Sequence, residues 1–359
     1  MKKDFAVICA ANISKRNSGM HSVDLAAKQY FDKLGRSYDL IVTQGDRKVG
    51  KLRFEKIRDP KDFRNYRNIV YWGDFQNNPL WGTRDYCNKE ITHEGVIDRE
   101  EALNNWTNRY LLLQEQLDGD ASVYAIGGCF MGAKEYLSNP AINQAFRDFV
   151  LRSRRIVVRD SSSYQFLVGI SHMEQIKLGF DCASLLNLPV WPKSNHFVYS
   201  FKRTIGEKEG RRLAKAVEKA TRISGVEINW LGKKSPFNSL RGGFMRNSRL
   251  ISQAQFAITD IYHFSINSFG RGTPALCLGT SEGDFGSTID DHKKFVLFDM
   301  LDSKSLMFDC GRKGLSMETT EKICDTASQL NSSEIGRVAL QEFQSLKDRF
   351  KGELDECFS

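Results

Sequence analysis

The densest group of reactive side chains lies at residues 259–274, TDIYHFSINSFGRGTP, between two short apolar runs. His263 opens a helical pattern there, and Gly272-Thr273-Pro274 ends it. An imidazole at the end of a strand can move a proton; a lone histidine can equally serve structure. Arg271 adds a cation to the same segment. A second group is Arg159-Asp160-Ser161-Ser162-Ser163, after the apolar residues 156–158. The planar fork of Arg159 suits a carboxylate or phosphate, with Ser162 and Ser163 beside it. Asp160 or Ser161 also suits the N-cap of the helix that follows.

Three further segments carry polar groups directly after apolar runs. Asp181, in GFDCASLL, could accept a sugar hydroxyl or cap a helix. Residues 12–24, NISKRNSGMHSVD, hold Asn17 and Gly19 at the start of a helix, where backbone amides can meet an anion or a sugar. Their spacing is neither GxGxxG nor GxxxxGK[ST], so a nucleotide loop is not indicated, and a plain connection is the other reading. Residues 68–81, NIVYWGDFQNNPLW, place Asp74 and Asn77 near Phe75 and Trp81 in an expected loop, an arrangement suited to stacking on a sugar. The pair Gly127-Gly128 permits either close approach of a ligand or a tight turn.

Composition narrows the classes. The 359 residues carry 52 Lys plus Arg against 44 Asp plus Glu, a net charge of +8 that suits an anionic partner. The basic clusters Arg152-Arg154-Arg155 and Lys233-Lys234 are short and read as solvated faces, and no nucleic-acid module is present. The eight cysteines form no CxxC pair and no zinc spacing, so neither a metal nor a disulfide frame is expected. Cys9, Cys129, Cys182 and Cys277 lie in apolar segments as small hydrophobes. No run approaches ~20 apolar residues. Residues 5–11 read as a first buried strand rather than a leader. A reducing, cytoplasmic setting is the expectation.

These groups must be held by alternating strands and helices. Strands are predicted at 5–10, 38–42, 68–72, 122–126, 155–158 and 175–179, and helices at 20–34, 99–117, 141–152 and 161–169. The proline pair in residues 188–195, LPVWPKSN, reads as a linker. A second series follows, with strands at 196–200, 226–230, 256–258, 275–278 and 295–298. Its helices are expected at 207–223, 245–253, 262–270, 317–329 and 333–350. The expectation is an α/β chain of two Rossmann-like domains facing each other across a cleft: 1–188, 189–330, and a C-terminal helix in 331–359 that returns to the first domain. Ligands of such sheets bind beyond the carboxyl ends of the strands, so a site between the domains is expected.

The order and spacing of these motifs resemble polysaccharide pyruvyl transferases. Asn17-Ser18-Gly19, Arg159-Asp160-Ser161-Ser162-Ser163, Asp181, and His263 standing ahead of Gly272-Thr273-Pro274 match that family's segments over about residues 5–300. The family's Arg-Leu before the histidine is Ile261-Tyr262 here, and Arg271, Arg241, Arg246 and Arg249 are the arginines that could replace the missing charge. The resemblance implies a glycosyltransferase-B type fold and phosphoenolpyruvate as co-substrate. The acceptor would be a sugar of a surface polysaccharide or its lipid-linked precursor, met at the inner face of the membrane with peripheral contact at most. It implies His263 and Arg159 as catalytic, Arg159, Ser162, Ser163, Arg271 and His263 on the donor, and Asn17, Gly19, Asp74 and Asp181 on the acceptor, with no metal. The rival of the same gross fold is a nucleotide-sugar glycosyltransferase; aligning Gly272-x-Pro274 puts Asn267 where many of its retaining members carry a donor-binding Glu. A glycan-binding relative without catalysis is the third reading.

Overall fold

The computed structural model describes residues 2–9, 17–42, 47–56, 60–93, 96, 98–111, 121–171, 174–232, 240–281, 285–311, 314–330 and 334–358, with backbone alone at 47, 60, 74, 93, 240 and 285–290. The chain divides into two compact units. One comprises Met1–Ala11, Val23–Cys182 and Phe350–Ser359; the other comprises Asn12–Ser22 and Ala183–Arg349.

In the first unit the strands are β1 (Lys3–Cys9), β2 (Tyr38–Val42), β3 (Arg47–Val49), β4 (Leu52–Lys56), β5 (Tyr66–Asp74), β6 (Ser122–Gly128), β7 (Ser153–Val158) and β8 (Ile176–Leu178). They form one sheet in the order β3-β4-β2-β1-β5-β6-β7-β8. All described pairings are parallel except the β3–β4 hairpin. Parallel strands are covered on both faces and need continuous apolar runs; accordingly Phe5 to Cys9 are all buried. The covering helices are α1 (Ser18–Leu34), α2 (Cys87–His93), α3 (Arg99–Trp106), α4 (Pro140–Arg152) and α5 (Ser161–Ile170). Asn139 caps α4 by accepting from the amides of Ala141 and Ile142, and Pro140 occupies its first turn.

In the second unit β9 (His196–Ser200), β10 (Ser224–Glu227), β11 (Ala257–Thr259), β12 (Ala275–Gly279) and β13 (Met307–Asp309) form a parallel sheet in the order β10-β9-β11-β12-β13. The helices are α6 (Glu207–Thr221), α7 (Leu240–Gln253), α8 (Tyr262–Phe269), α9 (Phe285–Met300), α10 (Met317–Gln329) and α11 (Glu334–Phe358). Helix α11 ends beyond the predicted 350; its residues from Phe350 onward count with the first unit, within which Phe358 packs on Phe5, Phe31 and Tyr124.

Several predicted elements are corrected. The strand expected at 295–298 lies inside α9: Phe295-Val296-Leu297-Phe298 is an apolar run too short for its period to tell strand from helix. The fifth strand is β13, a stretch too brief to stand out. The strand expected at 226–230 ends at Glu227. The β3–β4 hairpin and α2 carried no readable pattern. The helix expected at 99–117 is α3 followed by a wider turn over Thr107–Leu111, and 112–120 lies outside the described residues. Trp81 is not in a loop; it opens a helical stretch, Trp81–Tyr86, and packs on Tyr86 and Tyr110. Lys233 and Lys234 lie outside the described residues. All eight cysteines are free thiols. No helix among the described residues is long and apolar enough to cross a membrane.

Candidate functional site

The carboxyl ends of β9, β11 and β12 are tied together by buried charge. Asp260 follows β11 and is fully buried. Its carboxylate accepts the backbone amides of Lys202 (2.9 Å), Arg203 (2.8 Å), Thr204 (2.8 Å) and Ile205 (3.1 Å), which holds the loop after β9. The Lys294 ammonium, on α9, donates to Thr204 Oγ1 (2.8 Å), the Asp260 carbonyl (2.9 Å) and the Leu278 carbonyl (2.9 Å). It also pairs with Asp291, which accepts from the Thr280 amide at 2.9 Å. Four carboxylate–amide bonds and a paired lysine offset the cost of burying these charges. The result is a rigid rim at the edge where sheets of this type bind ligands.

Helix α8 starts from that rim. Ile261, extended and without a side-chain cap, precedes it, and His263 is its second residue, 9 % exposed. Tyr262 meets the His263 ring edge-on at 5.2 Å, and the Lys293 ammonium stands 5.5 Å from the centre of the Tyr262 ring. The first turn of α1, counted with this unit, packs against α8. Asn17 caps α1 through its Oδ1, accepting from the amides of Gly19 (3.0 Å) and Met20 (3.3 Å). A Cβ on Gly19 would stand 2.6 Å from His263 Cβ and 2.9 Å from His263 Cγ and Nδ1, so only glycine fits. Asn267 donates its Nδ2 to Ser22 Oγ (3.0 Å) and to the His263 carbonyl (2.7 Å), joining the two helices. Asn17 also bridges to Leu231 after β10, and the Ser18 amide donates to the Trp230 carbonyl.

The structure therefore brings together Asn17, Gly19 and His263, and adds residues that sequence reasoning missed. One is His21, buried in the first turn of α1 with its ring edge-on to Phe244 at 5.2 Å. Burial, and next the charge of Arg241, push its imidazole down to about 4, so it is neutral at pH 7. Asp260, Asp291 and Lys294 are the others. Their signal in the sequence was weak: a carboxylate after an apolar strand, and charged residues inside a helical stretch.

The first unit gathers a different set at its own strand ends. Arg159, after β7, and Asp181, after β8, form an ion pair at 3.2 Å with both side chains almost fully buried. The guanidinium of Arg159 lies 5.0 Å from the centre of the Phe75 ring. Asp160 is the N-cap of α5, accepting from the Ser163 amide (2.7 Å) and from Ser163 Oγ (2.9 Å). Ser163 Oγ in turn accepts the Phe130 amide at 2.7 Å, so this hydroxyl ties the loop after β6 to α5. Ser162 is half-buried on the same turn. Gly127 holds φ +67°, and a Cβ there would overlap Cys182 Sγ. The Asp74 side chain lies outside the described residues.

Two groups expected at a ligand are spent on the chain itself. Arg271 is buried and donates to the carbonyls of Leu186 (2.6 Å) and Leu188 (2.8 Å), and burial lowers its guanidinium to about 10. It anchors the linker. Asn77 donates to the Tyr110 carbonyl. Arg241, Arg246 and Arg249 are exposed on α7. Among the described residues no cluster of three or more His, Cys, Asp or Glu could hold a metal ion.

No protein-family model matches the chain, and no curated protein matches it by sequence. Solved structures do. A UDP-N-acetylglucosamine 2-epimerase is similar at TM-score 0.53 and 10 % identity, covering 99 % of this chain and 96 % of its own. Arabidopsis thaliana UGT89C1, solved with quercetin, is similar at TM-score 0.52 and 10 % identity, over 100 % and 99 %. LpCGTa, solved with UDP, is similar at TM-score 0.51 and 9 % identity, over 99 % and 98 %. The α/β chain, with its two parallel-strand Rossmann-like units, thus has the glycosyltransferase-B type fold of glycosyltransferases and epimerases.

Proposed function

We propose that the protein is a glycosyltransferase-B type enzyme that acts on a nucleotide-activated sugar, with His263 moving the proton. The observation that carries this reading is the seat of His263. The imidazole sits on the uncapped first turn of α8, at the carboxyl edge of a Rossmann-like sheet, held against Gly19 by the capped first turn of α1. Two helix N-termini at one strand edge suit a diphosphate. In sugar transfer the acceptor hydroxyl gives its proton to the imidazole while its oxygen bonds to the anomeric carbon. The bond from that carbon to the diphosphate breaks, and the nucleoside diphosphate leaves. The names of the similar structures support a UDP-linked donor: one is a UDP-N-acetylglucosamine 2-epimerase, and another was solved with UDP.

The competing donor is phosphoenolpyruvate, which the motif resemblance implies. Its chemistry needs a cationic cradle for carboxylate and phosphate. Ile261 stands where that family has arginine, and Arg271 is held by the linker carbonyls, so the second unit favours the sugar-nucleotide reading.

Thermal unfolding with UDP, a panel of UDP-sugars and phosphoenolpyruvate tests this. A ligand at ~100 times its dissociation constant adds about 2.7 kcal/mol. UDP or one UDP-sugar should raise the midpoint, and the His263→Ala variant should keep that shift while losing about 10²–10⁴-fold in turnover. A rise with phosphoenolpyruvate alone overturns the proposal in favour of pyruvyl transfer.

A further inference from the structure

Helix α6 carries a line of cations that the fold leaves unneutralised. Lys208, Arg212, Lys215 and Lys219 follow one another at steps of four, three and four residues, so they share one face of the helix, and Arg222 follows as its C-cap. All five are exposed. The opposite face, through Gly210, Leu213, Ala214 and Val217, is buried. Eleven steps of 1.5 Å from Lys208 to Lys219 make the line about 16 Å long. Arg222 is in a left-handed conformation, and its amide donates to the Glu218 carbonyl.

None of the five has an ion pair among the described residues. The nearby acids are used otherwise: Glu227 and Glu207 pair with Arg211, Glu218 accepts the Gly225 amide, and Glu209 accepts the Leu315 amide. Like charges at these spacings repel and weaken an isolated helix.

We propose that this face of α6 docks the protein on an anionic lipid bilayer. A row of cations along one face of an amphipathic helix matches an array of phosphates, and clusters of four to eight Lys or Arg on such a helix bind anionic headgroups. An exposed apolar side chain lies on the neighbouring helix α10. Leu315 is tied to Glu209, the neighbour of Lys208, and Met317, which opens α10, is 80 % exposed. A thioether there can enter the headgroup boundary. The row contains no aromatic residue on which bases could stack, which disfavours single-stranded nucleic acid. The inference stands independently of the reaction proposed above.

Co-sedimentation of the full chain with phosphatidylcholine vesicles, with and without phosphatidylglycerol, tests it. Binding should require the anionic lipid and should be lost at about 0.5 M salt. The triple variant Lys208→Gln, Arg212→Gln, Lys215→Gln should bind anionic vesicles roughly tenfold or more weakly. Its unfolding midpoint should be unchanged or higher, because repulsion is relieved. The charge-matched variant Arg36→Gln, Lys51→Gln, Arg53→Gln, in the first unit, should bind as the unaltered chain does. Equal weakening by both triples would reduce the effect to net charge and overturn the proposal. So would absence of binding to anionic vesicles, or binding to duplex DNA in its place.

Discussion

Gly19 and His263 approach so closely that no side chain fits between them: a Cβ on Gly19 would stand 2.6 Å from His263 Cβ. A glycine in the first turn of one helix therefore sets where the imidazole at the start of another can stand. The contact is against the base of a helical side chain, which cannot swing aside as a flexible tip could. Gly19→Ala should cost about 1–3 kcal/mol from overpacking. It should also displace His263, so that turnover falls further than stability alone explains. A normal melting temperature with normal turnover would sink the idea of a seat.

His21 makes stability depend on pH in a defined window. Its folded imidazole is pushed down to about 4 by burial, against 6.5 in the unfolded chain. Between these values the unfolded state binds more protons, so stability is fully present above pH 6.5 and falls as pH drops to 4, by about 3 kcal/mol. Below pH 4 both states are protonated and the loss stops. Urea midpoints recorded from pH 7 to pH 4 should show this slope, and His21→Phe should flatten it by that amount. A slope unchanged in the variant would assign it to other groups.

Lys294 is the centre of the rim. Lys294→Met removes the cation beside buried Asp291 and three hydrogen bonds to Thr204, Asp260 and Leu278. Breaking such a pair from one side costs about 3–5 kcal/mol. The double variant Lys294→Met, Asp291→Asn should recover part of that loss. Denaturant titration of the four proteins gives the coupling, and simple additivity would show that the two residues do not act as a pair.

The Arg159–Asp181 pair separates a structural role from a binding role. With both groups almost fully buried, Asp181→Asn should lower stability by about 3 kcal/mol or more, because the guanidinium keeps its charge in a dry site. If Asp181 instead served only an acceptor, the variant would unfold normally and lose activity alone. Calorimetry beside an activity assay distinguishes the two.

Removing the cap of α1 offers a milder probe. Asn17→Ala frees the amides of Gly19 and Met20 and should cost about 1 kcal/mol. The measurement is the unfolding midpoint, and Asn17→Asp should preserve it.

Much of the architecture was legible because its causes are local. Buried parallel strands demand continuous apolar runs, as at Phe5 to Cys9, and amphipathic helices repeat every 3.6 residues. A cap such as Asp160 announces the helix that follows it. The apolar run at 295–298 misled for the same reason: four residues do not contain a period, and the surrounding helix decided its conformation. The hydrophobic and polar order of the chain determined an α/β protein with two series of strands and helices, and placed His263 and Arg159 at strand ends. Partners lay beyond it. That Arg271 would meet the carbonyls of Leu186 and Leu188, that Asp181 would meet Arg159, and that Lys294 would bind three strand ends follow from strand order and register, which join residues far apart in the chain. The Gly19–His263 contact is of that kind. Each partner looks ordinary in the sequence, and only the packing of the first turn of α1 on α8, within the second unit, turns a glycine into the seat of an imidazole.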